Sequence, residues 1–117
     1  MESSNKRNTI FMTKKFKDLE FHSFPGMDEN RDGVYARMMF ENGYGISVIK
    51  TSFSYGGGKG LYELAVLDTD GEITYDTDVT DDVIGYLTPD KVTETMSFIQ
   101  ALWKSYLDTY YGYNKKK

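Results

Sequence analysis

Carboxylates are the side chains in this sequence that are numerous and closely spaced enough to form a chemical site. Between Lys59 and Lys91 the chain has no basic residue, whereas nine aspartates and glutamates lie there. Seven of them occupy positions 68 to 82, namely Asp68, Asp70, Glu72, Asp76, Asp78, Asp81 and Asp82. Grouped carboxylates can hold a metal ion, transfer protons or attract a basic surface, so their spacing has to discriminate between these uses.

The spacing does not favour a metal site. An EF-hand that used the "DTDG" stretch would need an aspartate two positions before Asp68 and a glutamate twelfth in the loop. The chain has Val66 and Thr77 at those positions. We therefore interpret "DTDG" as a hairpin turn in which Gly71 takes the left-handed position, and we expect no metal and no cofactor.

Catalytic groups of other types are scarce. The chain has no cysteine, and His22 is its one histidine, so neither a thiolate nor a histidine pair is available. No nucleophile motif accompanies the carboxylates. We therefore predict no catalytic residues and a protein that is not an enzyme.

The glycine-rich stretch "SYGGGKG", residues 54 to 60, resembles a phosphate-binding loop only in part. A Walker loop continues from Gly-Lys to Ser or Thr, but Lys59 is followed by Gly60, and an apolar strand follows where such a loop needs a helix. We interpret the stretch as a pliable connection between strands. Its glycines would also present Tyr55 and Lys59 to a partner with little steric hindrance.

The acidic segment predicts a basic partner and argues against nucleic acid as a direct ligand of the domain core. Negative charge repels the phosphate backbone, whereas it attracts a positively charged protein surface. A solvated acidic loop without a partner is the alternative interpretation. As the candidate partner-binding set we take the seven carboxylates with Tyr55 and Lys59.

Alternation of apolar and polar residues predicts the strands that would position these groups. Segments 19–24 and 34–40 have this pattern, and the nearly continuous apolar run 61–67 is typical of a central strand. Residues 82–87 are predicted to form another short strand or extended piece. In the first hairpin we expect Phe40 opposite Ile46 and Met38 opposite Val48. In the hairpin closed by "DTDG" we expect Val66 opposite Ile73 and Leu64 opposite Tyr75.

A helix should follow the strands. Thr88 is suited to cap it, Pro89 to occupy its first position, and Gly112 to end it about 22 residues later. Its apolar stripe is spaced for a helix and consists of Val92, Met96, Ile99, Trp103, Tyr106 and Tyr110. The predicted fold class is α+β: an antiparallel meander of four to five strands packed by one long C-terminal helix.

The length of 117 residues allows one domain. We assign residues 1–17 to a flexible basic arm, 18–112 to the α+β domain and 113–117 to a basic tail. No apolar stretch is long enough to cross a membrane, and no secretion signal is recognisable, so we expect a cytoplasmic protein. Tyrosines crowd the end of the predicted helix, which could join copies of the chain into a homo-oligomer.

Several phrases resemble a group of small proteins encoded in bacteriophage and prophage genomes. These phrases are "NGYG", "SYGG", "GLYELAVL", "YDT" and "TDDVIGYLT", within residues 18 to 102. The resemblance implies an accessory protein that acts in the host cytoplasm, such as an anti-CRISPR or another anti-defence inhibitor. It implies as partner a host protein with a basic surface, for example a CRISPR effector or another nucleic-acid-binding protein, and it assigns no residue a role.

Two other functions remain open from the sequence. The protein could sequester a small nucleotide signal, with the glycine loop and Tyr55 as contacts, although the acidic surroundings oppose an anionic ligand. It could also be a structural or assembly protein of the virion that oligomerises through the tyrosine-rich helix.

Overall fold

The computed structural model describes residues 13–24 and 33–102, which form an antiparallel sheet and one helix. The strands are β1 (His22–Ser23), β2 (Val34–Met39), β3 (Gly45–Lys50), β4 (Tyr62–Leu67), β5 (Ile73–Thr74) and β6 (Ile84–Leu87). The helix, α1, is Pro89–Gln100. Strand order follows chain order from β1 to β5, and β6 pairs with β4. The predicted α+β meander is confirmed.

Strand β4 lies in the middle of this sheet, as its apolar run predicts. One of its edges pairs with β3, and its other edge pairs with β5 near Leu67 and with β6 near Tyr62. β5 and β6 are thus two short pieces of a single interrupted edge. Residues 75–83 leave the sheet between them and return, so the acidic segment is anchored at both ends.

The core lies between one face of the sheet and α1. Even-numbered residues of the three central strands point to it, and they are fully or almost fully buried at Ala36, Ile46, Val48, Leu64 and Val66. The helix contributes Val92, Met96 and Ile99, all with no exposed surface. These three are the part of the predicted stripe that lies within the described residues, because Trp103, Tyr106 and Tyr110 lie outside them.

Both hairpins exist, but each register differs from the prediction. In the first, Met38 pairs with Ile46, because the loop begins one residue earlier than expected and Phe40 N–H donates to the Tyr44 carbonyl at 2.7 Å. In the second, Val66 pairs with Thr74, because Asp68 N–H donates to the Glu72 carbonyl. All four predicted pairings are therefore wrong, namely Phe40 with Ile46, Met38 with Val48, Val66 with Ile73 and Leu64 with Tyr75.

The side chain of Asp68 explains the second register. Its Oδ1 accepts hydrogen bonds from the Asp70 and Glu72 amides at 2.9 and 3.1 Å. This carboxylate closes the turn and leaves Gly71 in the predicted left-handed conformation, with φ of 79°. The shift by one residue turns Ile73 and Tyr75 outward, and both are about half exposed.

Helix α1 begins as predicted and ends earlier than predicted. Thr88 caps its first turn, with Oγ1 accepting from the Lys91 amide at 3.2 Å. At the other end, the Asn42 side-chain amide donates to the carbonyls of Ile99, Gln100 and Leu102 at 2.9, 3.2 and 2.6 Å. In a continuing helix the first two carbonyls would accept backbone amides four residues on. The Asn42 side-chain amide binds these carbonyls in place of the backbone amides. The prediction that α1 continues to Gly112 is wrong, because the helix ends at Gln100.

The described end of the predicted basic arm, residues 13–17, is docked on α1. The Gln100 side chain accepts from the Lys14 amide at 2.7 Å and donates to the Lys14 carbonyl at 2.9 Å. Thr93 Oγ1 accepts from the Phe16 amide at 3.0 Å. The Phe16 ring packs against Phe21 and Tyr62 with centroids 5.5 and 5.1 Å apart. Residues 1–12 of the arm and the tail 113–117 lie outside the described residues.

Replacing Asn42 tests its role at the helix end. Asn42→Ala should lower the free energy of unfolding by about 1–2 kcal/mol, because carbonyls at the end of α1 lose their donor. Asn42→Asp should be at least as harmful, since it keeps the Oδ1 acceptor for the Tyr44 amide but places negative charge beside the helix C-terminus. Urea unfolding measures both, and an Asn42→Asp variant as stable as the parent would contradict this role.

Candidate protein-binding surface

The seven predicted carboxylates lie along the interrupted edge formed by β5, β6 and their flanking loops, which we call the acidic edge. Asp68, Asp70 and Glu72 belong to the turn between β4 and β5. Asp76, Asp78, Asp81 and Asp82 belong to the excursion between β5 and β6. Asp68 is half-buried because it closes its turn, and the other six are exposed. The topology therefore brings together the residues that the sequence places in one run.

The excursion has local structure that holds its backbone in place. Thr80 Oγ1 donates to the Asp82 carbonyl at 2.8 Å and accepts from the Asp82 amide at 3.1 Å. Asp82 Oδ1 accepts from the Val83 amide at 2.7 Å. Val79 and Ile84 are partly buried against the hydrophobic core. These two apolar side chains pack the excursion onto the core, while its carboxylates are exposed to solvent.

Within residues 13–24 and 33–102, none of the acidic-edge carboxylates forms an ion pair. The ion pairs found there join Lys17 to Asp18 and Lys91 to Glu94. No cluster of three or more metal-ligating side chains occurs among the same residues. The carboxylates of the acidic edge are therefore not engaged in ion pairs with any lysine or arginine that the structure describes.

Tyr55 and Lys59 lie apart from the carboxylates in sequence, in the connection between β3 and β4. Both side chains are exposed, and Tyr55 keeps 59% of its surface accessible. The Tyr55 carbonyl accepts from the Tyr86 amide at 3.1 Å, and the Tyr55 amide donates to Glu63 Oε1 at 2.8 Å. The first bond fastens the connection to β6, which begins two residues after Asp82, and the second fastens it to β4. The structure brings Tyr55 to the β6 end of the acidic edge.

Hydrogen bonds and close packing shape the glycine connection in a way that the sequence did not reveal. Gly57–Lys59 forms a single 3-10 turn, and left-handed Gly56 and Gly60 flank it. A side chain at Gly57 would overlap the Thr51 carbonyl oxygen, whereas one at Gly58 would meet open space. The glycines therefore serve a defined compact turn, and pliability alone does not account for them.

A cleft of about 510 Å³ lies beside this connection and is lined by Ser23, Lys50, Thr51 and the glycines. A phosphate cradle there would need loop amides that point into the cleft. Four amides of the loop instead donate within it, those of Gly57, Lys59, Gly60 and Leu61. This use of the donors favours the interpretation of the stretch as a strand connection.

Tyr86 is the feature that the sequence analysis missed. It lies in a β-bulge where Gly85 and Tyr86 together oppose Glu63. Among the described residues, Tyr86 is the one residue other than glycine that has a positive φ, at 58°. The left-handed conformation is strained for a side chain with a Cβ. The adjacent "IG" in the sequence hinted at a bulge, but alternation alone did not indicate which residue would be left-handed.

Gly85 has a packing role in the same bulge. A Cβ at this position would overlap the Cβ of Tyr55, so the glycine permits the close approach of the connection to β6. Tyr86 remains 60% exposed above this contact. His22, the single histidine, lies on edge strand β1 with its ring 5.7 Å from that of Tyr35 and away from β6.

No family model, curated protein or solved structure matches this chain. The resemblance to phage-encoded proteins therefore stays a prediction. Among the described residues, no helix is long and apolar enough to cross a membrane. The tyrosines proposed for self-association near the end of the chain lie outside those residues. The acidic edge is the feature of the described residues that points to a function.

Alanine substitutions at two neighbouring glycines test the compact turn. Gly57→Ala should lower the free energy of unfolding by about 2–4 kcal/mol, because its methyl group would displace the Thr51 carbonyl. Gly58→Ala is the matched control and should change it by less than about 0.5 kcal/mol. Equal stability of the two variants in urea unfolding would show that the connection is not packed in this way.

Substitutions at Tyr86 test the strain in the bulge. Tyr86→Gly should be more stable than Tyr86→Ala by about 1 kcal/mol, because both remove the ring but glycine alone adopts positive φ without steric cost. In a regular strand the order would be reversed, since glycine weakens strands. Thermal and urea unfolding of the pair discriminate between the two arrangements.

Proposed function

We propose that this protein is a non-catalytic inhibitor that binds a nucleic-acid-handling host protein through its acidic edge. One observation carries the proposal: seven carboxylates line one edge of the sheet, and none of them has an ion-pair partner in the described part of the chain. Charge of one sign that is held on an ordered edge is suited to a surface of the opposite sign.

The electrostatics of the edge favour association with a basic protein. Carboxylates that repel each other in the free domain lose that repulsion when a cationic surface covers them. The attraction also acts over about one Debye length, so it steers the partner and raises the association rate. A channel that binds nucleic acid carries the required lysines and arginines. The acidic edge would compete with phosphates for that channel.

This mode of action agrees with what the sequence resemblance implies. Phage-encoded accessory proteins of the anti-CRISPR type act in the host cytoplasm on defence proteins that hold nucleic acid in basic channels. The sheet and helix of this chain would serve as the support for the edge. Direct binding of nucleic acid by the edge is disfavoured, because its carboxylates would repel the phosphate backbone.

Removing charge from the excursion should abolish the interaction. In the test variant, Asp76, Asp78, Asp81 and Asp82 become asparagine, which retains the Oδ1 acceptor that Asp82 uses. The matched control removes the same charge from exposed positions outside the edge, by Asn or Gln at Asp18, Glu20, Glu41 and Glu94. The test variant should bind the partner about 10- to 100-fold more weakly, and the control should bind like the parent.

The measurement is capture of proteins from a bacterial lysate on the three immobilised forms, followed by titration of the captured protein. Affinity for the parent should fall steadily between about 50 and 500 mM NaCl, because salt screens exposed charges. Capture of the same partner by the four-asparagine variant, or an affinity that does not respond to salt, would rule out the acidic edge as the binding surface.

A further inference from the structure

The first hairpin contains the one asparagine of the chain that precedes a glycine, Asn42. Asparagine is a thermolabile residue, because the amide nitrogen of the next residue can attack its Cγ atom and release ammonia. Glycine in that next position makes the attack easiest, since it has no Cβ and the widest choice of backbone angles. The other asparagines precede lysine, threonine or arginine, and they are Asn5, Asn8, Asn30 and Asn114. On sequence grounds Asn42 is the preferred deamidation site.

The reaction needs water and no other reactant. In the first step the Gly43 nitrogen bonds to Asn42 Cγ and the Cγ–Nδ2 bond breaks. The proton of the Gly43 amide passes through water to the leaving group, which departs as ammonia, and a cyclic imide remains. In the second step a water molecule opens the imide, at Cγ to give aspartate or at the Asn42 main-chain carbonyl carbon to give isoaspartate. Both products carry a carboxylate in place of the carboxamide, so the chain gains one negative charge.

The native structure holds both reacting groups in other hydrogen bonds. Asn42 Nδ2, the leaving group, donates to the last carbonyls of α1 at distances from 2.6 to 3.2 Å. Asn42 Oδ1 accepts from the Tyr44 amide at 3.1 Å. The Gly43 amide, the nucleophile, donates to the Phe40 carbonyl at 3.0 Å. Attack requires the Gly43 nitrogen to give up its proton and the Asn42 side chain to turn toward it, so these bonds have to break first.

The bonds of the Asn42 side chain open together with the end of α1. Ile99, whose carbonyl accepts from Asn42, has no exposed surface and belongs to the hydrophobic core. The last turn of α1 is therefore held both by packing and by the hairpin. Helix ends and loops open locally more often than a whole domain unfolds. The fraction of molecules in which the helix end is open sets the rate of the reaction.

Deamidation would make this opening permanent. Aspartate has no side-chain donor for the helix carbonyls, and its charge lies beside the negative end of the helix dipole. Isoaspartate also routes the main chain through Cβ, which lengthens the loop that joins Phe40 to Tyr44. Gln100 lies in the same last turn and binds the Lys14 backbone, so loss of the helix end also weakens the docking of residues 13–17.

We propose that Asn42 is a gated deamidation site, protected while its side chain binds the end of α1 and modified when that end opens. The hairpin and the helix thus form a one-way switch that limits the lifetime of the native protein. The site goes beyond the proposed function and does not depend on it, because no carboxylate of the acidic edge takes part in the reaction.

Ageing the full-length protein at constant temperature tests the site, with parallel samples in mildly alkaline native buffer and in the same buffer with concentrated urea. Mass spectrometry of proteolytic peptides locates the reaction, because each carboxylate formed raises the mass, and chromatography separates isoaspartate from aspartate. Asn42 should deamidate about 10- to 1,000-fold faster in urea than in native buffer. In urea it should also react faster than the four other asparagines.

Two substitutions on α1 test the gate. Ile99→Val keeps the core apolar but loosens the last turn, and it should raise the rate in native buffer about 2- to 10-fold. Ser97→Ala changes an exposed position of the same turn, and this matched control should leave that rate unchanged. Both variants should react at the parent's rate in urea, where the gate is absent. Melting temperatures show that each variant is folded in native buffer.

The product tests the switch. Ion exchange separates the deamidated protein from the parent by its added charge, and Asn42→Asp supplies a uniform sample of one product. Both should melt at a lower temperature than the parent. The Lys14 amide should also lose protection from hydrogen exchange, because Gln100 no longer holds it firmly.

Three results would overturn the inference. Equal rates in native buffer and in urea, or an Ile99→Val variant that reacts like the parent in native buffer, would refute the gate. An Asn42 that stays intact in urea while other asparagines react would refute the site. A deamidated protein with the parent's melting temperature and the parent's hydrogen exchange at Lys14 would refute the switch.

Discussion

The fold depends on how strand β4 is paired, because two short strands, β5 and β6, share one of its edges. Leu64, Ala65, Val66 and Leu67 are all buried, so β4 has to be covered on both faces and bonded along both edges. β3 pairs with residues 63–67 along one edge, whereas the other edge is divided between β5, at Val66 and Leu67, and β6, at Tyr62 and Leu64. The chain between them is free to leave the sheet. The acidic excursion exists because of this interruption.

The position of α1 follows from bonds at both of its ends and along its side. Thr88 caps its beginning, Asn42 of the first hairpin holds its last carbonyls, and Gln100 binds the backbone of Lys14. Each bond joins the helix to a different part of the chain, which fixes its direction across the sheet. A fixed helix closes the core on one face, so that the acidic edge has an ordered support.

Sequence reasoning reached the fold class, the central strand and the start of the helix because local patterns determine them. Continuous apolar residues indicated β4, and Thr88 with Pro89 indicated the first turn of α1. It failed where the hydrogen bonds of one side chain decide the result, either within its own turn or from a distant part of the chain. The Asp68 carboxylate shifted one hairpin register by one residue, and Asn42 ended α1 across 57 positions of sequence. The bulge at Tyr86 depends on its contact with Tyr55, which alternation cannot report.

The same distinction applies to the candidate site. The carboxylates adjoin in sequence, so their grouping was predictable, whereas the approach of Tyr55 to β6 arises only from tertiary packing.

Mapping the binding surface by amide chemical shifts tests the account most directly, with nona-arginine titrated into the isotopically labelled protein. Shifts should be confined to residues 68–86 and to the connection around Tyr55. Shifts centred on α1 or β1 instead, with residues 68–86 unchanged, would contradict the acidic edge as the binding surface.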